Sequence, residues 1–378
     1  MPFCLPDYVG TEVQNLQAAI AHGRLEGGGP FTRSCEAMLA DITCSTAAMV
    51  VPSCTAALEM IALLLDIGPG DEVIMPDYTF VSTANAIALR GGVPVFVDID
   101  PSTLNIDPDA AESAITSRTK ALLPVHYAGV PCDMDRLGAL SAEYELALVE
   151  DAAQALGSSW NGRPAGGIGA MGAVSFHHTK NVTCGEGGAL LINDAALVRP
   201  AEHIRDKGTD RAEFLRGDVQ KYEWRVLGSS YLLSELAAAV LEAQLCRMDT
   251  LLTKRMTLWQ AYEAVLGPIT DVRTPQVPPR ATHNAHIYHL RLPDRRHRDA
   301  FIAAMRTAGV TVAPHYVPLH ATPGGRRYGR AHGSMAVTFD AADTLVRLPL
   351  FSAMSQADHT HVLEASLQAL AAQGLGSS

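Results

Sequence analysis

The chain has 378 residues, 48% of them hydrophobic, and a formal net charge of −11, which gives enough apolar material for a large core plus a smaller one and excludes the basic stripe of a typical nucleic-acid binder. Its seven cysteines are odd in number and form no CxxC pair, which argues against a disulfide framework or a zinc cluster and for a reducing compartment. Residues 1–7 lack a secretory pattern, and the longest apolar stretch, 56–67, is broken by Glu59 and Asp66, so the expectation is a soluble cytoplasmic protein with no membrane or nucleic-acid partner and no metal.

Along the chain, short β-rich runs alternate with helical ones. Strands are expected at 48–51, 72–75, 93–97, 121–125, 146–150 and 189–192, and helices at 55–65, 81–89, 108–115 and 134–144. This alternation builds a mostly parallel sheet with helices on both faces, and the nearly all-apolar strands suit that burial. After Ser234 the pattern changes. A long helix over 236–266 stops at Gly267-Pro268, a Pro-rich connection comes next, and then a strand at 286–292, a helix at 298–307 and a strand at 310–313. The expected organisation is a large α/β domain over residues 1–250 and a smaller α+β domain over 251–378.

Ligands of open α/β sheets bind beyond the carboxyl ends of the strands, so the residues just past each strand are the candidates for chemistry. Val51-Pro52-Ser53-Cys54-Thr55-Ala56 takes a strand into a helix start, which fits either a phosphate cradle of free amides or an ordinary N-cap. Val149-Glu150-Asp151-Ala152-Ala153-Gln154 puts an acid at a buried strand tip, where it either pairs with a cation such as a pyridinium N–H or caps the next segment. Ala173-Val174-Ser175-Phe176-His177-His178-Thr179-Lys180 then leads to the Gly-rich turn Cys184-Gly185-Glu186-Gly187-Gly188. The chain has few lysines, and one between an apolar run and a Gly-rich turn is either a loop lysine or a buried amine with a depressed pKa, usable as a nucleophile. Each motif alone is weak. An anion site, a later strand-tip acid and a lysine about thirty residues further on are together what pyridoxal phosphate (PLP) needs.

Several segments carry a resemblance: Gly28-Gly29-Pro30-Phe31-Thr32, Gly70-Asp71-Glu72-Val73-Ile74-Met75-Pro76, Val125-His126-Tyr127-Ala128-Gly129, Lys207-Gly208-Thr209-Asp210-Arg211, His315-Tyr316-Val317-Pro318-Leu319-His320 and Leu348-Pro349-Leu350. Over essentially its whole length the chain resembles the DegT/DnrJ/EryC1/StrS sugar aminotransferases, within the fold-type I PLP-dependent transferases. It is most similar to the dTDP-4-oxo-6-deoxy-D-glucose 4-aminotransferase branch, which serves enterobacterial common antigen and actinomycete antibiotic pathways such as that of the calicheamicin aminosugar. The resemblance implies that Lys180 forms the Schiff base, Asp151 pairs with the pyridine nitrogen, Gln154 contacts the ring hydroxyl and Phe80 stacks on the ring. It also implies that Thr55, the Ala56 amide and Ser175 bind the phosphate. Where the family has an asparagine that reaches the phosphate from the neighbouring subunit, this chain has Ser230, in Gly228-Ser229-Ser230-Tyr231.

The implied reaction is a two-stage transamination. L-Glutamate gives its amino group to the cofactor, and a dTDP-linked 4-keto-6-deoxy sugar takes it up as the 4-amino-4,6-dideoxy sugar nucleotide, in a homodimer with shared active sites. Retention of Lys180, where some relatives have histidine, favours transamination over dehydration. Lys207, Arg211 and Arg216 are candidates for the nucleotide diphosphate, or form an exposed charged loop. His315, Tyr316 and His320 are either sugar-side residues or a packed strand-turn. The competing readings are a same-family aminotransferase acting at C3 or on a cyclitol ketone, another PLP reaction, and a non-catalytic sensor of the same fold.

Overall fold

The structure, a computed structural model, describes residues 1–376; positions 377 and 378 of the expected second domain lie outside the described residues. Five strands, β1 (Ala47–Val51), β2 (Glu72–Pro76), β3 (Val93–Val97), β4 (Thr119–Leu122) and β5 (Ala147–Asp151), are followed by a short hairpin, β6 (Ser159–Trp160) and β7 (Arg163–Pro164). Then come β8 (Met171–Ser175), β9 (Gly188–Ile192), β10 (Ala281–Thr282), β11 (Tyr288–Arg291), β12 (Arg330–Ala331) and β13 (Leu345–Leu348). The central sheet has the order β1-β9-β8-β5-β4-β2-β3-β12. Only β9 runs against its neighbours; the other pairings are parallel. This is the expected α/β, fold-type I architecture. β2 and β9 are buried at every position, which explains why β9 reads as an unbroken apolar run and β2 as one interrupted only by Glu72.

The sheet's helices include α1 (Thr11–His22), α2 (Pro30–Thr43), α3 (Cys54–Leu64) and α4 (Val81–Ala88). α3 packs on β8 and β9, and α4 on β2 and β3. Because β1, β2, β4, β5 and β8 all point the same way, their carboxyl ends gather along one edge. A second core joins Tyr262, Tyr288, Phe301, Val346 and Leu370 around the antiparallel pair β11 and β13. The chain passes from one core to the other inside the helix Met248–Leu266, where Leu251 belongs to the first and Leu258 to the second. It later sends β12 back to the edge of the large sheet, beside β3.

Glu72, at the start of β2, pins that return. Its carboxylate is buried and accepts from Arg330 at 3.0 and 2.8 Å, from Arg118 at 2.6 Å and from the Thr116 hydroxyl at 2.8 Å. The Arg330 bonds above all hold its pKa down at about 2.

Three expected elements are corrected. The strand at 121–125 ends at Leu122, and Val125 makes only an isolated bridge to Asp151, because Pro124 has no N–H to donate. The helix over 236–266 is two helices, Glu235–Leu245 and Met248–Leu266. Neither Pro nor Gly marks this break. It falls where Gln244 and Arg247 reach out to Asp7 and Glu12 of the N-terminal segment. The strand at 310–313 reduces to a single bridge between Ala313 and Arg347.

Candidate active site

The carboxyl edge of the sheet opens into a cavity of about 540 Å³, and the residues that meet there come from distant parts of the chain. β1 delivers the start of α3. Ser53 caps that helix, its hydroxyl accepting from the Ala56 amide at 3.1 Å. The Ala56 amide is thus engaged by the cap. Among the described residues the amides of Cys54 and Thr55 have no acceptor, and both residues line the cavity. The Thr55 hydroxyl shares a 2.8 Å hydrogen bond with Ser82 of α4. Gly188 of β9 closes the other side. A Cβ there would lie 2.3 Å from the Cys54 nitrogen, so only glycine lets β9 pass so close to the helix start.

Asp151 is the last residue of β5 and only 4% exposed. Its Oδ2 accepts from the Thr83 hydroxyl at 2.8 Å and its Oδ1 from the Ala153 amide at 3.1 Å. Burial pushes its pKa up, and those two bonds and the Lys180 charge offset that only in part. Lys180 follows β8 and lines the same cavity; burial pulls its pKa down, against the pull of Cys54 and Asp151. Among the described residues its ammonium has no hydrogen-bond partner. Gln154 accepts from the Ala128 amide at 2.8 Å and donates to the Tyr316 hydroxyl at 3.3 Å, which leaves one amide hydrogen to offer. Phe80 precedes α4 and stands at the mouth, 58% exposed. Ser175 ends β8 on the cavity wall.

Behind Asp151 lies a second buried acid. Glu150 accepts from His126 at 2.9 Å and from the amides of Gly166, Ile168 and Gly169 at 2.8, 2.7 and 2.7 Å. Burial alone would raise its pKa, but the His126 bond and the amides outweigh it. His126 Nδ1 accepts from the Cys132 amide at 3.1 Å, so the ring donates to Glu150 through Nε2. The loops that start beyond β4 and β5 are locked together by these bonds.

Both chemical ends of PLP find complements here. A buried carboxylate with two donors and no paired cation suits a pyridinium N–H. Two open amides at a helix N-terminus suit a phosphate, and an unpartnered amine of lowered pKa suits an aldehyde. The residues present fit the cofactor.

Not every expected residue reaches this cavity. His315 and Tyr316 do, stacked on each other with ring centroids 3.8 Å apart. His320 does not: its Nδ1 bonds the buried Asp77 carboxylate at 2.6 Å, which makes it part of a packed turn. Ser230 is exposed and bridges to Asp206, outside the Lys180 cavity of its own chain. Arg211 and Arg216 line a separate cavity of about 500 Å³ and pair with Asp206 and Glu202 at 2.9 and 2.8 Å. Lys207 also pairs with Asp206, at 2.7 Å. Thr83, Ser82, His286 and Arg347 join the site without having been expected. Hydroxyls in the first turn after Phe80, and one arginine in the apolar run Leu345-Val346-Arg347-Leu348, were the available signals. Among the described residues no group of three or more His, Cys, Asp and Glu could hold a metal ion, and no helix is long and apolar enough to cross a membrane.

A parallel sheet that gathers an open helix start, a buried acid and a buried lysine at its carboxyl edge defines the class: this is a PLP-dependent aminotransferase of fold type I. The chain belongs to the DegT/DnrJ/EryC1/StrS aminotransferase family, which it matches over residues 6–366. Among solved structures it is similar to the aminotransferase TlmJ from Streptoalloteichus hindustanus, at 32% identity and a TM-score of 0.91, covering 99% of this chain and 100% of that one. It is similar to DesV from S. venezuelae at 32% identity and a TM-score of 0.88, covering 97% and 98%. It is also similar to a 3-amino-5-hydroxybenzoic acid synthase at 30% identity and a TM-score of 0.90, again covering 97% and 98%.

Proposed function

We propose that the protein transfers the amino group of L-glutamate to C4 of dTDP-4-oxo-6-deoxy-D-glucose, giving the 4-amino-4,6-dideoxy sugar nucleotide, and that Lys180 is its catalytic residue. The observation that carries this reading is the convergence of Lys180, Asp151 and the free end of α3 on one cavity. Bound PLP supplies an aldehyde that takes up the amino group and a protonated ring that accepts the electron pair left when a carbon-bound proton departs. Lys180 Nζ is the group that would hold the cofactor's aldehyde. Once free, it would take the proton from the donor's α-carbon and return it to the cofactor carbon on the other side of the transferring nitrogen. Burial lowers the pKa of the amine, which favours the unprotonated form that a base needs. Asp151 keeps the proton on the ring nitrogen, and Thr83 and Ala153 fix the carboxylate for that task. The Cys54 and Thr55 amides, the Thr55 hydroxyl and Ser175 would hold the phosphate, Phe80 would cover the ring face, and Gln154 would offer its remaining hydrogen to the ring oxygen.

The working unit in this proposal is a homodimer with shared sites, in which Ser230 reaches the partner's phosphate and Lys207, Arg211 and Arg216 meet the sugar nucleotide. Two observations support it. Within one chain these residues lie away from Lys180. The wholly exposed stretch 221–230 also carries Tyr222, Trp224, Val226 and Leu227, with Trp224 75% exposed, and such apolar exposure marks an association surface. The similarity to a 3-amino-5-hydroxybenzoic acid synthase sustains a second reading, in which the acceptor is a cyclic ketone other than a sugar.

The visible spectrum of PLP-loaded protein tests the first half of the reaction. L-Glutamate is expected to bleach the cofactor band and the keto-sugar nucleotide to restore it, with the product's regiochemistry read by NMR. Failure of borohydride to fix cofactor to Lys180 would overturn the assignment.

A further inference from the structure

The wall of the Lys180 cavity carries one ring nitrogen whose chemistry is decided by bonds behind it. Asn284 is buried, and its Nδ2 donates to the carbonyls of Gln154 and Leu156, each at 2.9 Å. The main-chain carbonyl of Asn284 in turn accepts from Asn181 Nδ2 at 2.8 Å. Asn181, the residue after Lys180, therefore presents its Oδ1 to His286, whose Nδ1 lies 2.9 Å away. An amide oxygen only accepts, so His286 carries its hydrogen on Nδ1 and its Nε2 is left as an acceptor. Burial above all, and then the charges of Lys180, Arg255 and Arg347, pull the pKa of this ring well below the usual histidine value, which keeps it neutral. Among the described residues Nε2 has no hydrogen-bond partner, and the ring lines the cavity. Backbone strain sits beside it. Ala285 has a φ of 52°, a costly conformation for a residue with a side chain, and the buried Arg255 holds it there by donating to the carbonyls of Ala285 and His286 at 3.0 and 2.6 Å.

We infer that His286 Nε2 accepts a hydrogen bond from the hydroxyl on the ring carbon beside the ketone of the amino acceptor, which is C3 of the proposed sugar. This rests on the proposed transamination at C4. A neutral acceptor has nothing to offer a carboxylate or a carbonyl, so neither the two carboxylates of L-glutamate nor the ketone itself suits it. The amino group of the donor is the one being transferred. A ring hydroxyl remains, because it can donate. The position selects which hydroxyl. The His286 ring is bonded to the residue after Lys180, and both side chains line one cavity, so the group that His286 meets lies close to the reacting carbon. Of the two neighbours of C4, C5 bears the ring oxygen and a methyl group, and only C3 bears a hydroxyl. His286 is then a specificity-determining residue: an acceptor that lacks this hydroxyl leaves a desolvated ring nitrogen unpaired, and the site rejects it for that reason.

The test compares two acceptors on PLP-loaded protein that L-glutamate has bleached: dTDP-4-oxo-6-deoxy-D-glucose and the same nucleotide sugar without its C3 hydroxyl. Wild type is expected to recover its colour at least roughly tenfold more efficiently with the first, the scale of a lost hydrogen bond that leaves a buried acceptor unpaired. In His286→Phe the ratio of the two efficiencies should fall to within about twofold of unity, and His286→Gln, whose side-chain oxygen can still accept, should regain part of it. The ratio is the readout because any effect of the variant on Lys180 acts on both sugars alike and cancels. Calorimetry gives a measure without turnover. With C4 of both sugars reduced to a hydroxyl, the ratio of their Kd values for the loaded protein should shrink from wild type to His286→Phe in the same direction. The inference is overturned if wild type uses both acceptors equally well, a result that needs no variant to fold. It is also overturned if His286→Phe slows both in proportion and keeps the ratio, which is what a merely structural role predicts. Failure of the underlying reading looks different, because then wild type recovers no colour with either sugar, and the inference falls with it.

Discussion

Thr83→Val isolates the part of the site that the chain builds without help from any ligand. The two side chains are close in shape, and Thr83 is fully buried in the first turn of α4, so the substitution removes little more than one hydroxyl. That hydroxyl donates to Asp151 Oδ2 at 2.8 Å, and the Ala153 amide is the carboxylate's only other donor among the described residues. A hydrogen bond to an ionised group contributes about 1.5–3 kcal/mol, and 1.36 kcal/mol corresponds to about one pKa unit. The Asp151 pKa, already raised by burial, should therefore climb further. The sign is set by the ionised form being the one that pairs with the cofactor's ring N–H. As pH falls, the variant protonates Asp151 sooner and releases PLP at a higher pH than wild type, while at alkaline pH both load alike. Cofactor loading is measured by absorbance across pH 4–9, with a thermal melt of each apo form as a control on folding. A loading midpoint that does not move, or an affinity loss that is the same at every pH, would refute the idea that Thr83 acts through the Asp151 charge.

Single contacts and a shared site give three further expectations. Gly188→Ala drives a methyl group into the Cys54 backbone, so the apo protein should lose about 1–3 kcal/mol of stability in denaturant melts, and its affinity for PLP should fall together with that for inorganic phosphate. Glu72→Gln removes a carboxylate whose folded pKa, about 2, lies below its usual value of 4.5. Its contribution, of order 2–3 kcal/mol, is complete above the unfolded pKa and fades as pH drops toward the folded one, so the Tm gap between wild type and variant should be widest near pH 7 and narrow steadily below pH 4.5. A mixture of inactive Lys180→Ala chains with Arg211→Ala, Arg216→Ala double-variant chains should regain activity after subunit exchange, because one site in each mixed dimer is intact, about a quarter of all sites in a random mixture; no recovery would count against sharing.

The sheet was legible because its strands are buried on both faces, so that apolar runs such as Val93–Val97 stand out without any knowledge of their neighbours. Site residues that sit where strands end, Asp151 and Lys180 among them, came with that frame. α1 was not legible, and the reason is physical. This helix buries Glu12 and exposes Val13 and Ile20, the reverse of the usual stripe. Glu12 faces inward because its carboxylate takes hydrogen bonds from the Val9 and Gly10 amides and from Gln244, a residue more than two hundred positions away. Arg347 shows the same limit from the other side. A lone arginine in an apolar strand can be read from the sequence. That it lacks a partner among the described residues is a property of the whole fold, known only once every neighbouring acid has been assigned elsewhere.

The second cavity shows why the arginines of the 207–216 stretch cannot be read as free anion receptors. Five arginines line it, but so do four carboxylates, and most of the guanidiniums already have a partner: Arg24 with Glu26, Arg205 with Glu36, Arg211 with Asp206 and Arg216 with Glu202. A nucleotide diphosphate arriving there has to exchange places with carboxylates rather than fill an empty positive hole, so the gain per arginine is a difference between two ion pairs and is correspondingly small. In the proposed reaction the amino donor would enter the enclosed Lys180 cavity, while the sugar nucleotide would meet a nearly balanced network of charges at the surface. Affinity for the nucleotide should therefore fall with ionic strength more steeply than affinity for glutamate does, because screening acts far more on an exposed network than inside a buried cavity. Kd values for both, measured between low and physiological salt, decide it, and equal slopes would place the nucleotide elsewhere.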